Sequence, residues 1–140
     1  MHKRILQKYF LILPLCIFKF GFSQSNHIYY HKNPIIVEYG KSIEISQLLF
    51  QNEDIVSGVL FFRDKGELSY QEEEMTFEGG KWIGFIPGDR VTVLGVEYVT
   101  ILTKLDGGKI ALPLIDSPFD NPLSIRVRQG VDKITSSKKS

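Results

Sequence analysis

From residue 35 to residue 127, short apolar runs alternate with turn residues, and the hydrophobic period is two rather than 3.6. Pro34 opens an extended run, Ile35-Ile36-Val37, and Tyr39-Gly40-Lys41 turns it. Ile43 and Ile45 then alternate with Ser42, Glu44 and Ser46, and Leu48-Leu49-Phe50 continue less cleanly. Residues 55–63 form the strongest strand, Ile-Val-Ser-Gly-Val-Leu-Phe-Phe-Arg, turned by Asp64-Lys65-Gly66. A short partner is predicted over 67–71 and another run at Met75-Thr76-Phe77, closed by Gly79-Gly80. Residues 82–86 read as a strand ended by Pro87-Gly88, because proline cannot donate to a ladder. Residues 96–103 alternate well, and Asp106-Gly107-Gly108 is a hairpin signal. The return runs over 110–115, with Pro113 marking an edge or an end. Residues 118–122, Pro-Phe-Asp-Asn-Pro, read as a loop before a last strand over 123–127. No stretch carries ten residues of helical periodicity. Seven or eight strands in about 95 residues fit an all-β, antiparallel sandwich, immunoglobulin-like or fibronectin type III-like.

The first residues follow a different pattern. Lys3, Arg4 and Lys8 precede an unbroken apolar run over 10–18, and Gly21-Phe22-Ser23 supplies small residues at a cleavage site. This is the anatomy of a secretory signal peptide over 1–23, with Gln24 as the new N-terminus. Lys19 interrupts the run short of the roughly 20 apolar residues a membrane span needs. Leu15 precedes Cys16, where a lipidation site needs a small residue. The reading therefore divides the chain into a signal peptide (1–23), a lead-in (24–33), a sandwich domain (34–129) and a mobile polar tail (130–140). Export would place the mature chain in the periplasm, at the cell surface or outside the cell.

Cleavage changes the charge. It removes four basic residues and no acidic ones, leaving 13 basic against 16 acidic and a net charge of −3. Such a domain has no electrostatic pull toward nucleic acid or anionic lipid, and no membrane insertion is expected after cleavage. The one cysteine, Cys16, goes too, so the core alone must hold the exported domain.

Little in the mature chain points to chemistry. Glu72-Glu73-Glu74 is the sharpest charge run, but three adjacent carboxylates on a strand cannot all face one calcium ion, and a solvated edge explains them better. Asp106 and Asp116 lack the dense alternation of oxygen ligands that a calcium loop uses. His27 and His31 are spaced for a metal only on a helix, and this segment reads as extended. No serine sits in a nucleophile elbow and no glycine-rich loop cradles phosphate. No catalytic residue, metal or cofactor is expected. Carbohydrate binding would need coplanar exposed aromatics, for which Tyr29, Tyr30, Tyr70 and Trp82 are the candidates. Trp82 otherwise reads as core.

The order of motifs resembles the immunoglobulin-like and fibronectin type III-like modules of exported bacterial proteins. It runs His31 and Pro34, Phe61-Phe62-Arg63, Tyr70, Met75, Gly79-Gly80 before Trp82, Ile86-Pro87, Gly95-Val96-Glu97-Tyr98, and Asn121-Pro122. The resemblance covers residues 31–128 and implies a non-catalytic module for protein–protein contact or structural spacing. It makes Tyr98 a candidate tyrosine-corner residue, bonded to nearby backbone. It also places Leu60, Phe62, Val96 and Tyr98 inside the sandwich. Val59, Phe61, Val99 and Ile101 then share the outer face of one sheet, a large apolar patch. Either the lead-in or the tail folds over that patch, or another domain or subunit docks there.

Overall fold

The computed structural model describes residues 29–49 and 54–130. The segment expected to be a signal peptide (1–23) and the tail from residue 131 lie outside the described residues. Nine strands follow in order: β1 (Tyr29–His31), β2 (Ile36–Glu38), β3 (Ile43–Leu49), β4 (Ile55–Asp64), β5 (Gln71–Glu78), β6 (Lys81–Ile86), β7 (Val96–Lys104), β8 (Lys109–Leu112) and β9 (Leu123–Arg128). One turn of 3₁₀ helix, Gly88–Arg90, is the only helical element among the described residues.

One sheet path, β1-β3-β6-β5-β4-β7-β9-β2, folds back on itself into two facing layers. Strand β5 makes the bend. Its first half pairs with β4 (Gly58↔Met75 to Phe62↔Gln71) and its second half with β6 (Thr76↔Ile83 to Glu78↔Lys81). The runs expected at 67–71 and 75–77 are therefore one strand that changes layer, beginning only at Gln71. The two ends of the path, β1 and β2, are consecutive in sequence, so residues 32–35 cross between the layers.

Strict alternation drives the core. β3 buries Ile43, Ile45, Gln47 and Leu49, and β4 buries Gly58, Leu60 and Phe62. Trp82 and Ile86 from β6, Val96, Tyr98 and Leu102 from β7, and Ile125 from β9 complete it. The layers approach closely at two glycines. A Cβ on Gly84 of β6 would lie 3.1 Å from Leu60 Cδ2, and one on Gly58 of β4 would lie 3.2 Å from Trp82 Cε3. One polar pair crosses the core: the Gln47 amide donates to the Thr100 hydroxyl, so neither fully buried group lacks a partner.

Two expectations are corrected. The sheet is mixed, because β2 pairs in parallel with β9 (Ile36↔Arg126 to Glu38↔Arg128). The chain enters β2 from the crossover running the same way as β9, and only a long connection can deliver that arrangement, here most of the domain. Strand pairing also starts before Pro34: β1 lies antiparallel to β3, Tyr29↔Leu49 to His31↔Gln47.

Candidate docking face

The β4–β7 register sets the face. Gly58↔Leu102, Leu60↔Thr100 and Phe62↔Tyr98 point inward. Val59↔Ile101, Phe61↔Val99 and Arg63↔Glu97 form the three cross-strand pairs of the outer side. The four apolar residues expected to share an outer face thus do so, as two adjacent pairs.

That face is not open. Val99 is 0% exposed, and Val59, Phe61 and Ile101 are half-buried. The cover comes from the loop 113–122, which leaves β8 opposite Thr100 and returns into β9 opposite Tyr98. Instead of following the sheet edge, it crosses outside β7 and reaches β4. The Phe119 ring meets Phe61 edge-on at 5.1 Å and Tyr70 at 5.3 Å. The Tyr70 hydroxyl donates to the Phe119 carbonyl at 3.0 Å. The strap also holds its own shape: Ile115 N–H donates to Pro113 O, and the N–H groups of Asp120 and Asn121 both donate to Ser117 O. The described part of the lead-in, strand β1, pairs in the opposite layer.

A charged pair supports Tyr70 from beneath. Arg63 Nε lies 2.9 Å from Glu97 Oε2, and the guanidinium sits 4.3 Å from the Tyr70 ring centre. This is a cation–π contact with a largely buried cation. Burial pushes the Tyr70 phenol's pKa up, and nearby Arg63 opposes that shift. The hydroxyl therefore stays a donor to the strap.

The strap's outer surface is apolar. Leu114, Ile115 and Phe119 are 57%, 46% and 38% exposed. By its sequence the segment 118–122 reads as an ordinary loop and the preceding strand as running to 115. The available signal was composition: Leu114, Ile115 and Phe119 among Pro113, Pro118 and Pro122 are too apolar for a segment that only meets water.

The other sequence candidates fall elsewhere. Trp82 is 7% exposed, flanked by Phe77 at 5.5 Å, and is part of the core rather than a stacking platform. Tyr98 does not bond nearby backbone. Its hydroxyl lies 2.9 Å from Asn33 Oδ1 and 2.6 Å from His31 Nε2, 65 and 67 residues upstream. His31 Nδ1 donates to Ser46 O at 2.8 Å, since a carbonyl can only accept. Both ring nitrogens are thus occupied, and the histidine fixes the crossover between layers. Glu72, Glu73 and Glu74 are exposed on the half of β5 whose second edge has no strand partner among the described residues. Charge along an open edge discourages further strand pairing. Among the described residues, no group of three or more His, Cys, Asp or Glu is placed to hold a metal ion.

Neither protein-family models nor curated proteins match this chain. Among solved structures it is similar to a chimeric titin Z1Z2 functionalized with a KLER exogenous peptide from decorin. The two share 13% identity over 73% of this chain and 95% of that one, with a TM-score of 0.41.

Proposed function

We propose that the chain is an exported, immunoglobulin-like module that binds another protein and catalyses nothing. Strand order supports the immunoglobulin-like part: β1-β3-β6-β5 in one layer and β4-β7-β9 in the other follow the A-B-E-D and C-F-G plan of that sandwich. The basic–apolar–small pattern of residues 1–23 supports export. The observation that carries the binding role is the strap, an ordered loop that buries one apolar face and leaves Leu114, Ile115 and part of Phe119 exposed. Rigid loops on a β-scaffold are common recognition surfaces.

Chemical crosslinking in the native source, followed by mass spectrometry, tests this reading. A protein crosslinked through 113–122 is the expected result, on a chain that begins at Gln24. Recovery of no protein partner, together with binding on a glycan array, would favour a carbohydrate-binding module instead. The burial of Trp82 removes one of the four aromatic candidates for that alternative.

A further inference from the structure

We propose that the strap face takes a basic, apolar-studded protein segment, with Leu114, Ile115 and Phe119 packing its apolar groups and Glu72, Glu74, Asp116 and Asp120 meeting its cations. This rests on the protein-binding reading above and names the partner's chemistry. Two independent observations converge on it.

The first is the apolar ridge. Its side chains are exposed, yet the backbone beneath is fixed at both ends by β8 and β9 and in the middle by the Tyr70 hydroxyl. A pre-ordered ridge loses little conformational entropy on binding.

The second is the charge around the ridge. Glu72 lies directly across from Phe61, the residue Phe119 covers, and Glu74 lies across from Val59, so both acids stand on the outer face beside the strap. Asp116 and Asp120 are exposed on the strap itself, and Asp120 is close enough to influence Tyr70. Arg63 is paired with Glu97 beneath Tyr70. Lys109 on β8 and Arg126 and Arg128 on β9 lie beyond β7, on the side away from the glutamates, and Arg128 is paired with Glu38. An apolar ridge rimmed by carboxylates that have no ion-pair partner among the described residues is complementary to an apolar segment rimmed by lysine or arginine. The same rim sets two copies of this face against each other, so a homodimer through the strap is disfavoured.

The test is selection of random peptides displayed on phage against the full chain. Enriched peptides are then titrated against wild type, Leu114→Ser/Ile115→Ser, and Glu72→Lys/Glu74→Lys. Both variants alter exposed side chains, and unchanged Trp82 emission checks their folds. Enriched peptides should carry lysine or arginine flanking large apolar residues. Each variant should weaken them by roughly tenfold, the usual size of losing a central apolar contact or reversing rim charge. Wild-type binding should also fall with salt. Acidic or uncharged consensus peptides, or binding that neither variant changes, would overturn the basic-partner assignment while leaving the protein-binding reading intact. A strap-dependent dimer in sedimentation would also overturn it. If no peptide is enriched, the assignment fails as well. The protein-binding reading falls with it only if crosslinking also recovers no protein.

Discussion

Gly58 on β4 faces the Trp82 ring on β6, and nothing larger fits between them. A Cβ there would sit 2.7 Å from Leu102 Cδ2, 3.1 Å from Met75 Cβ and 3.2 Å from Trp82 Cε3. Leu102 and Met75 are themselves buried, so none of the three can yield without moving its neighbours. Gly58→Ala should cost about 1–3 kcal/mol by overpacking, despite alanine's better backbone propensity. Trp82→Ala should cost about 3–5 kcal/mol, the usual loss for a buried aromatic. Urea unfolding of both variants measures this. A neutral Gly58→Ala would mean the layers are further apart than described. The wild type should show blue-shifted emission from this one tryptophan.

The Arg63–Glu97 pair should behave as a positioning device for Tyr70. Both side chains are only 16% exposed, so solvent screens them less than a surface pair. Arg63→Lys keeps the charge but loses the planar group that stacks on Tyr70. A loss of about 1 kcal/mol is expected for the lysine variant and more for Arg63→Met, which leaves Glu97 unpaired. Hydrogen exchange should rise in residues 113–122 for both variants, because the Tyr70 hydroxyl holds the strap. Stability loss with an unchanged strap would argue that the pair acts only on β4 and β7.

The strap predicts a dye response. Phe119→Ala removes the ring that meets Phe61 and Tyr70 edge-on. Phe61 and Val99 then gain solvent, and the face becomes an exposed apolar patch of the kind that binds hydrophobic dyes. Anilinonaphthalene sulfonate fluorescence should rise with the near-native circular dichroism spectrum retained. Phe61→Glu places a carboxylate beneath the strap and should destabilise by about 2–4 kcal/mol, as for burying an unpaired charge. An unchanged dye signal in Phe119→Ala would mean that Val99 is covered by something other than the strap.

The strands that alternate cleanly were legible because one face of each is buried. Residues 43–49, 55–64, 96–104 and 123–128 show period two, since water and core select opposite residue types at successive positions. The pairing of Val59 and Phe61 with Ile101 and Val99 followed from that alternation plus strand adjacency. Three features were not legible. The layer change in β5 depends on where a strand parts from its neighbour, and the local pattern Gln-Glu-Glu-Glu-Met-Thr-Phe-Glu does not encode that. The parallel β2–β9 contact joins residues about 90 apart in sequence, as the Glu38–Arg128 ion pair shows. The strap is a tertiary choice, because a loop that bridges β8 and β9 can run along the sheet edge or over its face. Only contacts with Phe61 and Tyr70 decide between those two paths.

The Tyr98 hydroxyl leads to the last prediction. Tyr98 is fully buried, and burial pushes its phenol's pKa well above the ordinary value of 10. The native state therefore holds this proton more tightly than the unfolded chain does. Below pH 10 both states are protonated and the stabilisation is fully present. As pH rises past 10 the unfolded chain ionises first, so stability falls by up to about 1.4 kcal/mol per pH unit until the native phenol titrates. Tyr70, also shifted upward by burial, adds to the same slope. Tyr98→Phe removes its share of that alkaline slope. It also leaves His31 Nε2 and Asn33 Oδ1 without the hydroxyl, at a cost of about 1–3 kcal/mol at neutral pH. Amide exchange should then quicken on both sides of the crossover, in β1 and β2, because Tyr98 is the link between that segment and β7. Urea unfolding at pH 8, 10 and 11 on wild type, Tyr98→Phe and Tyr70→Phe separates the contributions. If Tyr98→Phe shows the wild-type alkaline slope, Tyr98 is not the buried phenol responsible, and the crossover is held by other contacts.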